Sequence, residues 1–287
     1  MISRRKAILR LIQNEGGTVS KLRLFKLAFL LRQRSRDVAG TGVYDFIPYL
    51  HGPYSFTLSY DLRSLERDGW VRALDSDVRP MRDFSSEVPE KNLCREIDEL
   101  SKEYRWVPTE ALVSEVYRLF PWYTANAKDE ARRGAAIPES PCAVYTVGYE
   151  GLMLDGLLDL LLRSGIKHLV DVRHNPVARR FGFHRSTLDR HCHEAGIRYT
   201  HVPELGIPSS WRVELDTTTT YEQLFKRYER EILPAQTEVV SAVAKYVTDE
   251  PSALMCMESD CRCCHRSRLA RVVAGETGLS IRELRDE

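Results

Sequence analysis

Apolar residues recur at helical spacing between Arg5 and Gln13, where Ile8, Leu9, Leu11 and Ile12 share one face. The pattern returns between Leu22 and Leu31 through Leu24, Phe25, Leu27, Ala28 and Leu31. Gly16-Gly17 separates the two predicted helices, and Thr18 or Ser20 offers a cap for the second. A Gly-rich turn at Gly40–Gly42 leads into an extended segment over 44–50, and His51-Gly52-Pro53 turns the chain into a third helix from about Ser55 to Arg67. Trp70-Val71 reads as a short strand, and further helices are expected over 90–104 and 108–120. Helix, helix, helix and a hairpin-like extension is the order of a winged helix-turn-helix, so residues 1–123 are expected to form a mainly helical domain of that kind.

Residues 124–141 lose the apolar period and become rich in Ala, Lys, Arg, Gly, Pro and Ser, which is the composition of a linker. From 142 to 287 the pattern alternates between strands and helices. Strands are predicted over 143–148, 168–172, 198–202 and 253–257. Helices are predicted over 152–164, 186–195 and 267–274, with a long one over 221–247 interrupted at Pro234. Gly165-Ile166 and Gly196-Ile197 each end a helix and launch a strand. The expected fold class is α/β, a Rossmann-like parallel sheet with crossover helices behind the helical first domain.

Composition narrows the class. With 287 residues, 43% hydrophobic and 29% charged, the chain has room for two cores. It has no apolar run of the roughly 18 to 20 residues that a membrane span needs, so a soluble, cytoplasmic protein without a membrane partner is expected. Four of the seven cysteines, Cys256, Cys261, Cys263 and Cys264, crowd one stretch, a layout suited to thiol or metal chemistry rather than to a disulfide framework. The net charge of +1 conceals a basic run that ends near Arg34 and Arg36 and is opposed by Glu15 alone. Arg4, Arg5, Lys6, Lys21, Arg23, Lys26 and Arg32 are therefore candidate nucleic-acid contacts, the alternative being solvated helix faces.

Ligands of parallel sheets sit at the carboxyl ends of the strands, and here those ends are polar. They carry Tyr149 and Glu150, then Asp171, Arg173, His174 and Asn175, then His201 and Glu204, then Cys256 and Glu258. Arg180, Phe183, Arg185 and Tyr199 lie nearby in sequence. The segment Cys256 to Arg266 closes the set. A thiol at a helix start and beside an arginine is biased toward thiolate, and Arg266 has the fork to clamp a phosphate. Cys256 and Arg262 match the C-x5-R spacing of thiol phosphatases, but the segment lacks a glycine to curl around phosphate, so that match is read as chance. Cys261, Cys263, Cys264 and His265 are candidate metal ligands, with Cys256 or a distant histidine available to complete a site. The cofactor is left open, zinc being one candidate.

Two resemblances follow. Lys21 to Leu31, Tyr49 to Ser55 and Tyr60-Asp61-Leu62 resemble the Panacea domain of antitoxins and proteolytic adaptors, which implies a protein partner for the first half. The motifs Tyr145 to Gly151, Val170 to Pro176, Ala195 to Tyr199, Pro203 to Gly206 and Cys264-His265-Arg266 resemble the domain-of-unknown-function 488 family. That resemblance implies a Rossmann-like domain with a shared polar site built from Asp171, Arg173, Asn175, Pro176, Arg180, Phe183, Tyr199, Glu204, Cys256, Glu258, Cys264, His265 and Arg266. Cys261 and Cys263 depart from its pattern.

Three functions fit these readings. The first is a hydrolase or glycosylase-like enzyme acting on nucleic acid or a nucleotide, with base or glycosidic-bond chemistry in DNA and a role in phage defence. There Asp171, Glu204 and Glu258 supply acid or base, Arg173, Arg180, Arg185 and Arg266 hold phosphates, and Tyr149, Phe183 and Tyr199 stack on a base. The second is a thiol enzyme for phosphoryl or sulfur transfer, with Cys264 or Cys256 as nucleophile assisted by His265. The third is a non-enzymatic antitoxin or adaptor.

Overall fold

The first apolar stripe forms α1 (Ser3–Asn14), whose Ile8, Leu9, Leu11 and Ile12 are buried. A two-residue strand, β1 (Val19–Ser20), precedes α2 (Lys21–Arg34), which buries Leu24, Phe25, Leu27, Ala28 and Leu31 as the spacing requires. Each such side chain taken from water contributes about 1.5 to 3 kcal/mol, so these faces dominate the stability of the first core. In the computed structural model the described residues are 1–34, 43–178, 180–211 and 218–285. Arg36 and the Gly40–Gly42 turn lie outside them.

After the extended segment the structure departs from expectation. Gly52-Pro53 does not lead straight into a helix but returns as a strand. β2 (Ile47–Tyr49) pairs antiparallel with β3 (Gly52–Tyr54), and only then does α3 (Phe56–Arg67) begin. Ser55 accepts a hydrogen bond from the Leu58 amide at 3.2 Å and so fixes the start of α3. Trp70-Val71 proves to be the lip of a hairpin, β4 (Val71–Ala73) with β5 (Asp77–Pro80), and β5 also pairs with β1. Helices α4 (Lys91–Tyr104) and α5 (Thr109–Leu119) complete a unit spanning Met1–Ala136, with α4 against α1 and α5 against α2.

The basic run is not a free face, because each of the seven candidate nucleic-acid contacts has a partner inside this unit. Arg4 and Arg5 converge on the buried Asp61 at 2.6 and 2.8 Å, and Tyr44 joins them at 3.0 Å. Lys6 meets Glu87 at 3.7 Å and Arg32 meets Asp45 at 3.0 Å. Arg23 pairs with Glu15 and donates to the carbonyls of Tyr104 and Val107, while Lys21 donates to that of Asp75. Lys26 is fully buried, donates to the His51 and Pro53 carbonyls of the β2–β3 hairpin, and is pushed down to about 7 by its burial. Sequence period showed which positions were basic but not that acids from distant segments fold back onto them.

The second unit spans Ile137–Glu287. In chain order it contains β6 (Val144–Gly148), α6 (Leu154–Arg163), β7 (His168–Asp171), α7 (Arg185–Glu194), β8 (Arg198–His201), α8 (Thr218–Glu231), α9 (Thr237–Asp249), β9 (Ser252–Cys256), α10 (Arg266–Thr277) and β10 (Ile281–Leu284). The sheet is parallel throughout, in the order β10-β6-β9-β7-β8. It is the expected Rossmann-like α/β architecture with one strand more. β10 was missed because its alternation is short, charged and half exposed at the sheet edge. Positive φ at Gly165 and Gly196 (+64° and +79°) ends α6 and α7, as their sequence positions imply. The expected long helix is divided into α8 and α9 by a 3-10 turn over Leu233–Gln236.

The topology places the site. The chain leaves β6 toward β7 on one side of β9, and leaves β9 toward β10 on the other side of β6. Right-handed connections that run in opposite directions lie on opposite faces of the sheet, which opens a crevice at the carboxyl ends of β6 and β9. Among the described residues no helix is long and apolar enough to cross a membrane.

One buried group makes the second unit acid-sensitive. His168 in β7 is fully buried, bonds to Thr200 Oγ1 at 2.8 Å and accepts from Arg198 at 3.2 Å. Burial, reinforced by the Arg198 charge, pushes it down to about 4. The unfolded chain takes up this proton near pH 6.5, whereas the folded one resists it until about pH 4. Stability therefore falls as pH falls through that window, by roughly 3 kcal/mol. Urea unfolding of the full chain at a series of pH values should show this loss, and His168→Gln should flatten the slope between pH 6.5 and 4. An unchanged slope in the variant would assign the acid sensitivity elsewhere.

Candidate active site

Two clusters lie side by side at the carboxyl ends of β6, β9 and β7. The first is built on β7. Asp171 is fully buried and takes a bidentate ion pair from Arg173, Nε at 2.8 Å and Nη2 at 2.5 Å, together with the Arg173 amide at 3.1 Å and the Tyr199 hydroxyl at 2.7 Å. Arg173 also donates to Tyr149 Oη at 3.1 Å and to the Phe183 carbonyl at 3.0 Å. The Tyr149 and Phe183 rings stack on each other at 4.2 Å between centroids. Burial, and secondarily the charge of Asp171, raises the Tyr199 hydroxyl above its ordinary range. Every polar group here is engaged by another, and the aromatic pair that was expected to hold a base is closed on itself. This first cluster is thus tied together internally beneath the strand ends.

The second cluster is built where β9 ends and α10 begins. Cys256 Sγ lies 3.1 Å from Glu258 Oε2 and 3.8 Å from His265 Nδ1. The other ring nitrogen of His265 donates to the Val172 carbonyl at 3.1 Å, which leaves Nδ1 as the nitrogen facing the sulfur. Cys264 completes the group, and the donor atoms of Cys256, Cys264 and His265 all lie within 4.8 Å of one another. All three residues are buried, while Glu258 is half-buried.

Protonation in this group is shared. A hydrogen bond from Cys264 outweighs burial and, with His265, holds the Cys256 thiol well below its ordinary range. Burial and the Cys256 charge drive the Cys264 thiol up. For His265, burial opposes the charge, but the Cys256 sulfur and the Val172 carbonyl prevail and raise it. Glu258 is raised by burial and by Cys256. The two thiols are thus driven in opposite directions by one another.

The loop carrying Glu258 is anchored from three directions. Arg266, fully buried, donates to the Glu258 carbonyl and, at 3.0 Å, to that of Ser259. Glu150 Oε2 accepts from the Ser259 amide at 3.1 Å. Gly148 lies directly beneath, where a Cβ would collide with the Glu258 carbonyl. The phosphate clamp expected of Arg266 is thereby corrected, since both of its Nη groups are spent on backbone carbonyls inside the protein. Cys261 and Cys263 are corrected as metal candidates. Asp260 caps a 3-10 turn over Cys261–Cys263, both cysteines are half-buried and outside the close set formed by Cys256, Cys264 and His265, and Cys261 faces Glu283.

Around these clusters, His174, Asn175, Arg180, Arg185 and Glu204 are exposed on the same edge. Arg180 donates to the Gly151 carbonyl at 3.3 Å, and His174 Nδ1 lies 3.2 Å from the Pro203 carbonyl. A cleft of about 720 Å³ opens beside the Glu258 loop, lined by Gly148, Glu150, Ser259, Asp260, Arg262 and Arg285. Two contributors escaped the sequence reading. Tyr228 of α8 packs edge-on against the His265 ring at 5.3 Å, and nothing in the sequence ties it to the site. The role of Gly148 was visible only as a strand-terminal glycine.

The fold and site together define a Rossmann-like α/β domain whose ionisable groups gather at its strand ends. Residues 153–273 match the model of the family described as Domain of unknown function DUF488, a span lying wholly within the second unit and containing Asp171, Cys256, Glu258, Cys264 and His265. No curated protein and no solved structure matches the chain.

Gly148→Ala tests how the loop is seated. Relieving the overlap should cost about 1 to 3 kcal/mol and lift the Glu258 carbonyl from Arg266. Cys256 should then alkylate faster than in the parent chain under native conditions. An unchanged labelling rate in a folded variant would show that Gly148 does not seat the loop.

Proposed function

We propose that the second unit is an enzyme acting on a nucleotide or another small phosphate-bearing substrate, with its reacting centre at Cys256, Glu258, Cys264 and His265. One observation carries this reading, namely that four ionisable side chains from β9 and the start of α10 meet at the end of a central strand and bond to one another. Such groups are costly to bury, and a Val or Leu core would hold the same elements together at less expense. Perturbed groups retained at a strand end are the usual mark of a working site. The neighbouring cleft, at about 720 Å³, falls in the size range of small-molecule sites. Arg262 in the cleft lining, with Arg180 and Arg185 exposed near the strand ends, favours an anionic substrate.

Asp171 does not share this role, because its oxygens are taken by Arg173 and Tyr199. The internal pairing of Arg4, Arg5, Lys6, Arg23 and Arg32 favours a nucleotide-sized substrate over a polymer held by the first unit.

The full chain should be screened against nucleotides, nucleic-acid ends, phosphoesters and N-glycosides. For any substrate turned over, Glu258→Gln should lower kcat/KM by about 100-fold or more. Asp171→Asn should lower Tm, with activity falling only as the folded fraction falls. Full activity in Glu258→Gln beside a folded but inactive Asp171→Asn would move the centre to Asp171, and no turnover anywhere in the panel would sink the enzyme reading.

A further inference from the structure

The cluster has the donor set and the support of a cation site. We infer that Cys256 Sγ, Cys264 Sγ and His265 Nδ1 bind one zinc ion, with the Glu258 carboxylate as a fourth ligand that a substrate or water can displace. For its chemical role this inference rests on the enzyme reading above, but cation binding is measured independently of turnover.

Four observations converge on it. The three donor atoms already lie within 4.8 Å of one another, and a tetrahedral ion with Zn–S near 2.3 Å and Zn–N near 2.0 Å requires only a small inward closure. Two sulfurs and an imidazole are soft and intermediate donors, which favours zinc over magnesium or calcium. His265 is oriented for ligation, since its Nε2–H is held by the Val172 carbonyl at 3.1 Å and Tyr228 packs on the ring, so Nδ1 is the nitrogen presented to the sulfurs. Glu258 stands 3.1 Å from Cys256 Sγ and also bonds with Cys264, beside both sulfurs, on a backbone fixed by Arg266.

The asymmetry of burial supplies the function. Cys256, Cys264 and His265 are at most 2% exposed, whereas Glu258 is half-buried and reaches the group from a surface loop. The carboxylate is thus the ligand that can leave while the other three stay. A phosphate or carbonyl oxygen taking its place would be polarised by the cation. Arg266 acts as a positioning residue in this scheme, holding the loop rather than the substrate.

The experiment uses the full chain, freed of metal by chelation, kept under a phosphine reductant and titrated with Zn²⁺ alone. The expected result is uptake of one zinc per chain, with alkylation of Cys256 and Cys264 slowed about tenfold or more while Cys94 and Cys142 label at unchanged rates. Cys264→Ser and His265→Gln should weaken zinc binding by about 100-fold, whereas Cys261→Ser and Cys263→Ser should retain it. Co²⁺ in place of Zn²⁺ should give thiolate charge-transfer bands in the parent chain, and these should shift in Glu258→Gln.

Should a ligand variant fail to fold, the protection pattern in the parent chain decides. A folded parent chain that takes up no zinc overturns the inference, as does protection that falls on Cys261 and Cys263. If zinc binds and no substrate in the panel is turned over, the cation site stands and the enzyme reading fails. If no zinc binds and Glu258→Gln abolishes turnover, the reverse holds.

Discussion

The fully buried guanidinium of Arg266 donates to the backbone carbonyls of Glu258 and Ser259, and the chemistry of the second unit depends on that attachment. The chain leaves β9 at Cys256, runs through an exposed loop and returns as α10, so without a tie the Glu258 carboxylate would sample solvent. Arg266 lies one residue past His265, at the first turn of α10. The element that presents the imidazole therefore also positions the carboxylate. Gly148 beneath the loop and Glu150 at its edge complete the seat, the first ending β6, the neighbouring strand, and the second following it. Sheet order, rather than sequence proximity, assembles the group.

Asp171 and Arg173 show what a structural use of charge looks like in the same fold. The carboxylate is bidentately paired, accepts a backbone amide and a tyrosine hydroxyl, and is sealed from solvent. Satisfied pairs of this kind hold a strand end rigid. The Cys256 group differs because two thiols and an imidazole stand within bonding reach of one another and border a half-buried carboxylate. In the first unit, Asp61 with Arg4, Arg5 and Tyr44 repeats the structural pattern.

Much of this was legible in the sequence, for identifiable reasons. Helices α1 and α2 follow from period alone. The parallel sheet follows from apolar runs separated by Gly165-Ile166 and Gly196-Ile197, and the strand-end rule directed attention to Cys256 and Glu258. Illegible features were those set by distant partners. The basic run looked like a free face because Asp61, Glu87 and Asp45 come from other elements. Arg266 looked like an anion clamp because nothing local shows that it turns inward onto its own loop. Cys261 and Cys263 looked equivalent to Cys264, and only the Asp260-capped turn separates them from it. β10 was hidden by its exposed edge, and the β2–β3 hairpin by a Gly-Pro pair that also suits a helix entry.

Zinc K-edge X-ray absorption on the zinc-loaded full chain tests the central claim, that β9 and α10 jointly build one centre, most directly. The account predicts a first shell of two sulfurs at about 2.3 Å and two nitrogen or oxygen ligands at about 2.0 to 2.2 Å. A shell with only nitrogen and oxygen, or with three or more sulfurs, would contradict it.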